Sequence, residues 1–300
     1  LNTVAFDEGP SGDDGTITLT PAALANALDS GSVTLRANTD IRFNVGLSNT
    51  DITDGGTSLT GNLTLQAGRS IFIGDEAGSS AAITLNGGSF SATINDSNAD
   101  GNFRDASTTN DPTRFTMNAG SSITTNGGSI SINTSSEDNG VDGSLILGRL
   151  NSSGTVAASG TNNPGGNAGT ITVRSGNQSG NFIDLNGDIV ADGGNGSGTG
   201  AQGSARAIII DSPTVNVFGA RQISATGSNV AGPGDISVYF QNGTTFSTNQ
   251  VNISGITVSN VFTPGSLTMT AGNAADVTLN SAINYNGSGS AGVLSISAGR

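Results

Sequence analysis

Four residue types are missing from this chain: cysteine, histidine, tryptophan and lysine. Without cysteine there is no disulfide and no thiolate chemistry. Without histidine, cysteine and lysine, serine-triad, cysteine, zinc–histidine and Schiff-base schemes all lack parts. All ten basic residues are arginine, against 23 acids, which leaves a net charge of -13. A balance of that sign excludes nucleic acid and anionic membrane surfaces as partners, because both need a basic face. Long hydrophobic runs are missing as well: Ala207-Ile208-Ile209-Ile210 is far too short to span a bilayer. The opening residues are not a charged region followed by an apolar one, so any signal peptide is expected to have been removed or to lie upstream.

Aromatics reach only 4% and charged residues 11%, yet hydrophobic residues reach 34% and are spread evenly. A disordered chain combines low hydrophobicity with high charge density, and this chain does not. Glycine, at 46 residues, and abundant Ser, Thr and Asn fill the rest. That composition suits regular β structure around a thin core of small aliphatic residues.

The stretch Gly61–Ile73, GNLTLQAGRSIFI, sets the pattern. Leu63 and Leu65 alternate with Asn62, Thr64 and Gln66, Ala67-Gly68-Arg69-Ser70 breaks the run, and Ile71 and Ile73 resume it. This reads as strand, corner and strand with one apolar face kept inward. Residues 31–43 share the layout. Ala82–Phe90 and Ser122–Ile132 repeat it with Asn-Gly-Gly corners. Gly143–Leu147, Gly169–Val173, Gly234–Val238, Gly265–Gly272 and Gly292–Arg300 repeat the opening strand. The last copy stops at its corner, so the chain is expected to be a fragment of a longer repetitive protein.

One helix is predicted over about 21–29, with Thr20 as cap, Pro21 in the first turn, Leu24 and Leu28 inward, and Gly31 ending it in a left-handed conformation. Before it, Thr16–Thr20 reads as a strand with Ile17 and Leu19 on one face. Glycine-, serine- and asparagine-rich segments at about 96–112, 151–168 and 191–204 read as loop excursions from the scaffold. Residues 1–300 are therefore expected to be one continuous domain.

A period near 20–30 residues, inward Ile, Leu, Val and Ala, and too few aromatics for a sandwich core favour a solenoid. The expected fold is all-β, a right-handed parallel β-helix with one short helix near the N-terminus. About a dozen coils at about 4.8 Å each would give a rod about 60 Å long. Neither end of the sequence looks like a cap.

The helix Ala22–Leu28 running into Gly31-Ser32-Val33-Thr34-Leu35-Arg36-Ala37-Asn38-Thr39-Asp40-Ile41, together with Gly61–Ile71, resembles the filamentous haemagglutinin-like exoproteins of bacterial two-partner secretion. Members of that family often carry A-L, then G-N-V-T-L-Q-A and N-D-I, followed by G-x-L-T-L-x-A-G-R-S-I. The close match covers about residues 20–90. The family's Asn-Pro-Asn-Gly-type secretion signature is missing, so the stretch resembles shaft and not secretion domain. The resemblance implies a right-handed parallel β-helix, export through an outer-membrane β-barrel, a secreted or cell-surface location, and adhesive or filament-forming roles. Implied partners are further copies or repeats of the same chain, the transporter barrel during export, and a host-cell, carbohydrate or biofilm ligand.

Candidate chemistry is sparse. Asp96-Ser97-Asn98-Ala99-Asp100-Gly101 matches the start of a calcium loop, so Asp96, Asn98 and Asp100 are candidate ligands and calcium the candidate ion. Its twelfth position is Ser107, not the usual Glu; Asp105 or Asp111 would have to substitute. No cofactor is required by anything else in the sequence. Glu137–Gly143 and Asp13-Asp14-Gly15 read as solvated turns. Asp184 and Asp188 flank Leu185-Asn186-Gly187 and form the one carboxylate pair to weigh for polysaccharide cleavage; they read more simply as the edges of a turn. Arg36, Arg69 and Arg174 sit near corners and are expected to face out and bridge coils to acids. Outward threonines suggest an ice-binding array, but the repeats are too irregular for one. The chain is read as non-enzymatic: a structural shaft, with a self-assembling filament subunit and a carbohydrate-active β-helix as alternatives.

Overall fold

The computed structural model describes residues 2–5, 18–74, 78–98, 113–135, 143–159, 162–176, 180–201, 203–212, 214–218, 223–225, 236–240, 267–273 and 294–299. Nearly all regular structure is parallel β, in three sheets that the chain visits in turn. Sheet A holds ten strands, among them Val33–Ala37, Leu63–Ala67, Phe90–Ile94, Ile130–Thr134, Ile171–Arg174 and Ile208–Ser212, and ends with Leu294–Gly299. Sheet B holds six, from Ile41–Phe43 to Thr214–Val217, and sheet C five, from Ala82–Thr84 to Ile223–Ser224. From Leu63 to Ser224 each circuit A to B to C adds one strand to every sheet, the arrangement of a parallel solenoid.

Alternation decides which side chains fill the interior. Val33, Leu63, Phe90, Ile130, Ile171 and Ile208 pair in register and are all buried. In sheet B the column is Ile41, Ile71, Phe115, Leu145, Ile183 and Val215. In sheet C it is Leu47, Ile83, Ile123, Leu150, Ile189 and Ile223. These columns belong to one core cluster. Burying each aliphatic side chain contributes about 1.5–3 kcal/mol. Volume is balanced within a coil: Phe90 and Phe115 share theirs with Ala92.

The corners differ in kind. Ala67-Gly68-Arg69-Ser70 joins sheet A to sheet B, whereas Asn86-Gly87-Gly88 and Asn126-Gly127-Gly128 join sheet C back to sheet A. The two layouts that read as copies of one unit are thus two different corners of a three-sided coil. Likewise Ser144–Leu147 belongs to sheet B, while Ile171–Arg174 belongs to sheet A. Coil length runs from inside the expected 20–30 residues to well beyond it. Partners within one column lie 27 residues apart at the shortest, Leu63 to Phe90, and 44 at the longest, Ile71 to Phe115. Among the described residues sheet A has ten strands, beside the expected dozen or so coils.

Small polar residues fill the corners. Ser121, buried between sheets B and C, accepts from Ala81 N and donates to Ile73 O, both at 3.0 Å. Ser152, buried between C and A, donates to Gly169 O at 2.6 Å. Ser70, between A and B, accepts from Arg114 N of the following coil at 3.0 Å. Turning the chain without orphaning its backbone groups requires such partners.

Helix α1 spans Pro21–Ser30 and starts as expected: Thr20 Oγ1 accepts from Ala23 N at 3.2 Å. Its end differs. Gly31 has φ 163°, which is extended and not left-handed, and its N–H still bonds Ala27 O at 3.0 Å. The need for glycine lies elsewhere. A Cβ on Gly61 would stand 2.0 Å from Gly31 O, on Gly88 2.1 Å from Gly61 O, on Gly128 2.1 Å from Gly88 O, and on Gly169 2.0 Å from Gly128 O. These glycines, each two residues before a sheet A strand, form a column along which backbone rests on backbone. At the next coil the position is Arg206.

Leu24, Ala25 and Leu28 of α1 join the core cluster. Asp29 Oδ1 accepts from Thr57 N and Ser58 N at 3.0 and 2.9 Å, and Gly61 N donates to Leu28 O at 2.9 Å. The helix thus covers the core where sheets B and C begin, a covering that the sequence did not announce. A short 3-10 turn, Asn49–Asp51, packs beside it. Of the predicted Thr16–Thr20 strand, Thr16 and Ile17 lie outside the described residues; Thr18–Thr20 is not a strand, and Leu19 is exposed.

Candidate functional site

Sheet B turns an unusual face outward. Register places Arg42, Phe72, Thr116, Ile146, Asp184 and Asn216 in one outward column, between the buried positions of their strands. Among the described residues, the outward-facing phenylalanines Phe72, Phe182 and Phe218 all belong to this face. Arg42 lies 4.2 Å over the Phe72 ring, and Arg114 lies 5.8 Å over the Phe182 ring. Sheet A, by contrast, faces out with Thr34, Thr64, Ser91, Ser131 and Thr172 in register.

Asp184 stands in the middle of the sheet B face. Asn216 Nδ2 donates to its Oδ1 at 2.8 Å. Burial pushes its carboxyl above the ordinary carboxylate value, against the opposing pull of that hydrogen bond and of the Arg114 charge. Asp188 is on a different surface. It follows the corner from Phe182–Leu185 toward sheet C and lines a shallow hollow of about 320 Å³ with Arg149, Asn186 and Gly187. The two carboxylates therefore do not form the pair weighed from the sequence: one is on the outside of a strand, the other beyond the turn.

Asp96 is 5% exposed and holds its own turn. Its Oδ1 accepts from Asn98 N at 2.9 Å and Asn98 Nδ2 at 2.8 Å, while its N–H reaches Ala67 O at 3.0 Å. Asn95 before it takes φ 51°. The third candidate ligand, Asp100, and Asp105, Ser107 and Asp111 lie outside the described residues, as do 137–142 and 13–15. Among the described residues no three acidic side chains gather as a metal site.

The corner arginines divide. Arg36 and Arg174 share one outward column of sheet A; Arg36 Nε donates to Gln66 at 2.6 Å, and Arg174 Nε stands 3.6 Å from Asp211. Arg69 is three residues past that column, in the corner itself, and grips Asp40 of the preceding coil. Arg69 and Arg174 reach acids of a neighbouring coil as expected, whereas Arg36 reaches the Gln66 amide, and the three positions do not match.

This geometry offers planar cations on aromatic rings, amides, hydroxyls and one protonation-prone carboxylate for non-covalent contact on an open face. The signal that could have found the face was present: phenylalanine at outward strand positions, between Ile71 and Ile73 and beside Ile183. No protein-family model, curated protein or solved structure matches the chain.

Proposed function

We propose that the chain is the shaft of a secreted or cell-surface bacterial adhesin or extracellular fibre, a non-catalytic right-handed parallel β-helix of the filamentous haemagglutinin-like kind. The observation that carries this reading is the ladder of sheet A, in which one parallel strand follows another from Val33–Ala37 to Leu294–Gly299, over an aliphatic core described from Val33 to Ile223. Such a stack supplies length and stiffness. Asp184 engaged by Asn216, with Asp188 past the corner, favours structure over polysaccharide cleavage. Export through an outer-membrane barrel follows from the resemblance at residues 20–90. Negative-stain images and X-ray scattering of the purified chain test the shaft: uniform rods are expected, and a globular envelope would overturn it.

The sheet B face is where such a shaft would meet a host-cell, carbohydrate or biofilm ligand, since arginine and aromatic side chains dominate contact energies at interfaces. Replacing Phe72 and Phe182 with serine should leave the rod intact and abolish adhesion to cells or glycan-coated surfaces; undiminished adhesion would remove this face from the reading. A second reading, end-to-end filament assembly, is favoured by the in-register parallel ladder of sheet A, a pattern that a second copy of the chain could continue. Filaments lengthening with protein concentration would support it. A calcium role for Asp96, Asn98 and Asp100 predicts a melting temperature raised by calcium and restored by chelator.

A further inference from the structure

The stretches 152–169 and 191–206 leave sheet C and return to sheet A on successive coils. Each runs out and back, so four extended segments lie side by side: 152–158, 162–169, 191–197 and the described residues of 199–206, which leave out Gln202. They carry neither helix nor strand, yet their backbones are joined throughout.

The bonds recur every third residue. Gly154 and Ala157 donate to the carbonyls of Asp192 and Asn195 at 2.9 and 2.8 Å. Gly166 and Gly169 donate to Thr155 and Ser152, both at 2.8 Å. Gly165 and Ala168 donate to Ala201 and Ser204 at 2.8 and 2.9 Å. Gly194 and Ser197 donate to Gly166 and Asn163 at 2.9 and 3.0 Å. Gly200, Gly203 and Arg206 donate to Ser197, Gly194 and Ala191 at 2.8, 2.9 and 3.2 Å. A β ladder repeats every second residue, and an α-helix bonds within itself. A three-residue repeat of bonds between segments belongs to polyproline II helices, which have three residues per turn and no internal hydrogen bonds.

Glycine makes the contact possible. A Cβ on Gly154 or on Gly203 would stand 1.8 Å from Gly166 O, and one on Gly194 would stand 2.1 Å from Thr155 O. Backbones meet here without side chains between them, as at the axis of collagen.

We infer that the two stretches form one bundle of four polyproline II helices, a folded clamp mounted on the side of the stack that fastens the coil beginning at Ile130 to the coil beginning at Ile171. The two middle segments, 162–169 and 191–197, each bond to all three others, so the bundle forms and opens as a unit. The inference is independent of the shaft reading, because it concerns how two coils are held whatever the chain is for.

Residue-resolved hydrogen exchange on the purified 300-residue chain tests it. The amides of Gly154, Gly165, Gly194 and Gly203 should exchange at least about 100-fold slower than that of exposed Val156. Gly203→Ala should remove protection from its own segment and also from Ala157, which residue 203 does not touch, while Ile132 in sheet A stays protected. Val156→Ser should change nothing. Wild-type stretches exchanging as freely as Val156 would overturn the bundle outright. Loss confined to 199–206 would overturn its cooperativity, and loss extending to Ile132 would overturn its standing as a separate unit.

Discussion

Arg69 holds Asp40 across two successive coils with both arms of its guanidinium: Nε donates to Oδ1 at 2.8 Å and Nη2 to Oδ2 at 2.6 Å. Ser70 N adds a third donor to Oδ1 at 3.1 Å, and Arg42 approaches Oδ2 at 3.3 Å. The carboxylate side chain is only 10% exposed, so this is a sheltered, fully engaged pair and not a surface decoration.

Removing either partner should therefore cost more than an exposed salt bridge does. Asp40→Asn and Arg69→Ala are each expected to destabilise by about 1–3 kcal/mol, and the double variant should be less destabilised than the sum of the two. Denaturant melts of the three variants measure the coupling. Arg69→Lys should recover only part of the loss, because a point charge cannot reproduce the fork.

The glycine column predicts a sharper effect. Gly88 has backbone 2.1 Å from where a Cβ would sit, so Gly88→Ala has to push apart two coils joined by parallel ladders. A loss of at least about 2 kcal/mol is expected from such overpacking against backbone. Gly31→Ala is the contrast, since nothing lies within 4 Å of its Cβ and its φ of 163° suits any residue. Its thermal midpoint should stay close to that of the parent chain.

Inside the coil, size matters in both directions. Leu65→Ala removes a fully buried side chain and should cost about 2–5 kcal/mol. Ala92→Leu, directly across from Leu65 in register, adds volume to the coil that already holds Phe90 and Phe115, and should cost about 1–3 kcal/mol. Equal stability in the Ala92 variant would mean that the coil has spare room that the packing does not show.

Asp184 gives the pH prediction. Its carboxyl value is raised in the folded chain, so the folded state binds the proton more tightly than the unfolded state does. The resulting contribution is present below the ordinary value of 3.8 and is lost as pH rises through the folded value. Asp184→Asn keeps an oxygen for Asn216 and removes the buried charge. It should stabilise the chain at pH 7 by less than about 1 kcal/mol, the carboxylate being only half-buried, and have no effect near pH 3. Melting temperatures of both chains across that range decide it; a larger benefit at pH 3 would reverse the sign.

Much of this fold is written in local pattern. Leu63, Leu65, Ile71 and Ile73 alternate with polar residues, and all four are buried. Thr20, Pro21 and the spacing of Leu24 and Leu28 mark the helix to within a residue. What local pattern does not carry is which sheet a strand joins. Ala-Gly-Arg-Ser and Asn-Gly-Gly both announce a turn, and only the pairing of Ile71 with Ile41, against that of Phe90 with Leu63, separates the two corners. Gly31 was legible as a helix end but not as a member of a column, because its carbonyl oxygen demands glycine 30 residues away, at Gly61. The stretches 152–169 and 191–206 read as loops because their order comes from each other and not from either sequence alone. The Asp184 and Asp188 pair failed for a simpler reason: four residues in a strand and turn carry the second carboxylate around a corner.

The column from Gly31 to Gly169 has one more consequence. Every rung presents the next with the same bare backbone, so the join between two coils does not depend on which two coils they are. Excising 63–89, for instance, would join Phe90 to Asn62, seat the strand at Phe90 on the strand at Val33 and keep Gly61 on Gly31, with the same kind of seam. Repeat number is then free to drift by whole-coil duplication or loss, and selection can set the length of such a molecule without redesigning its interior.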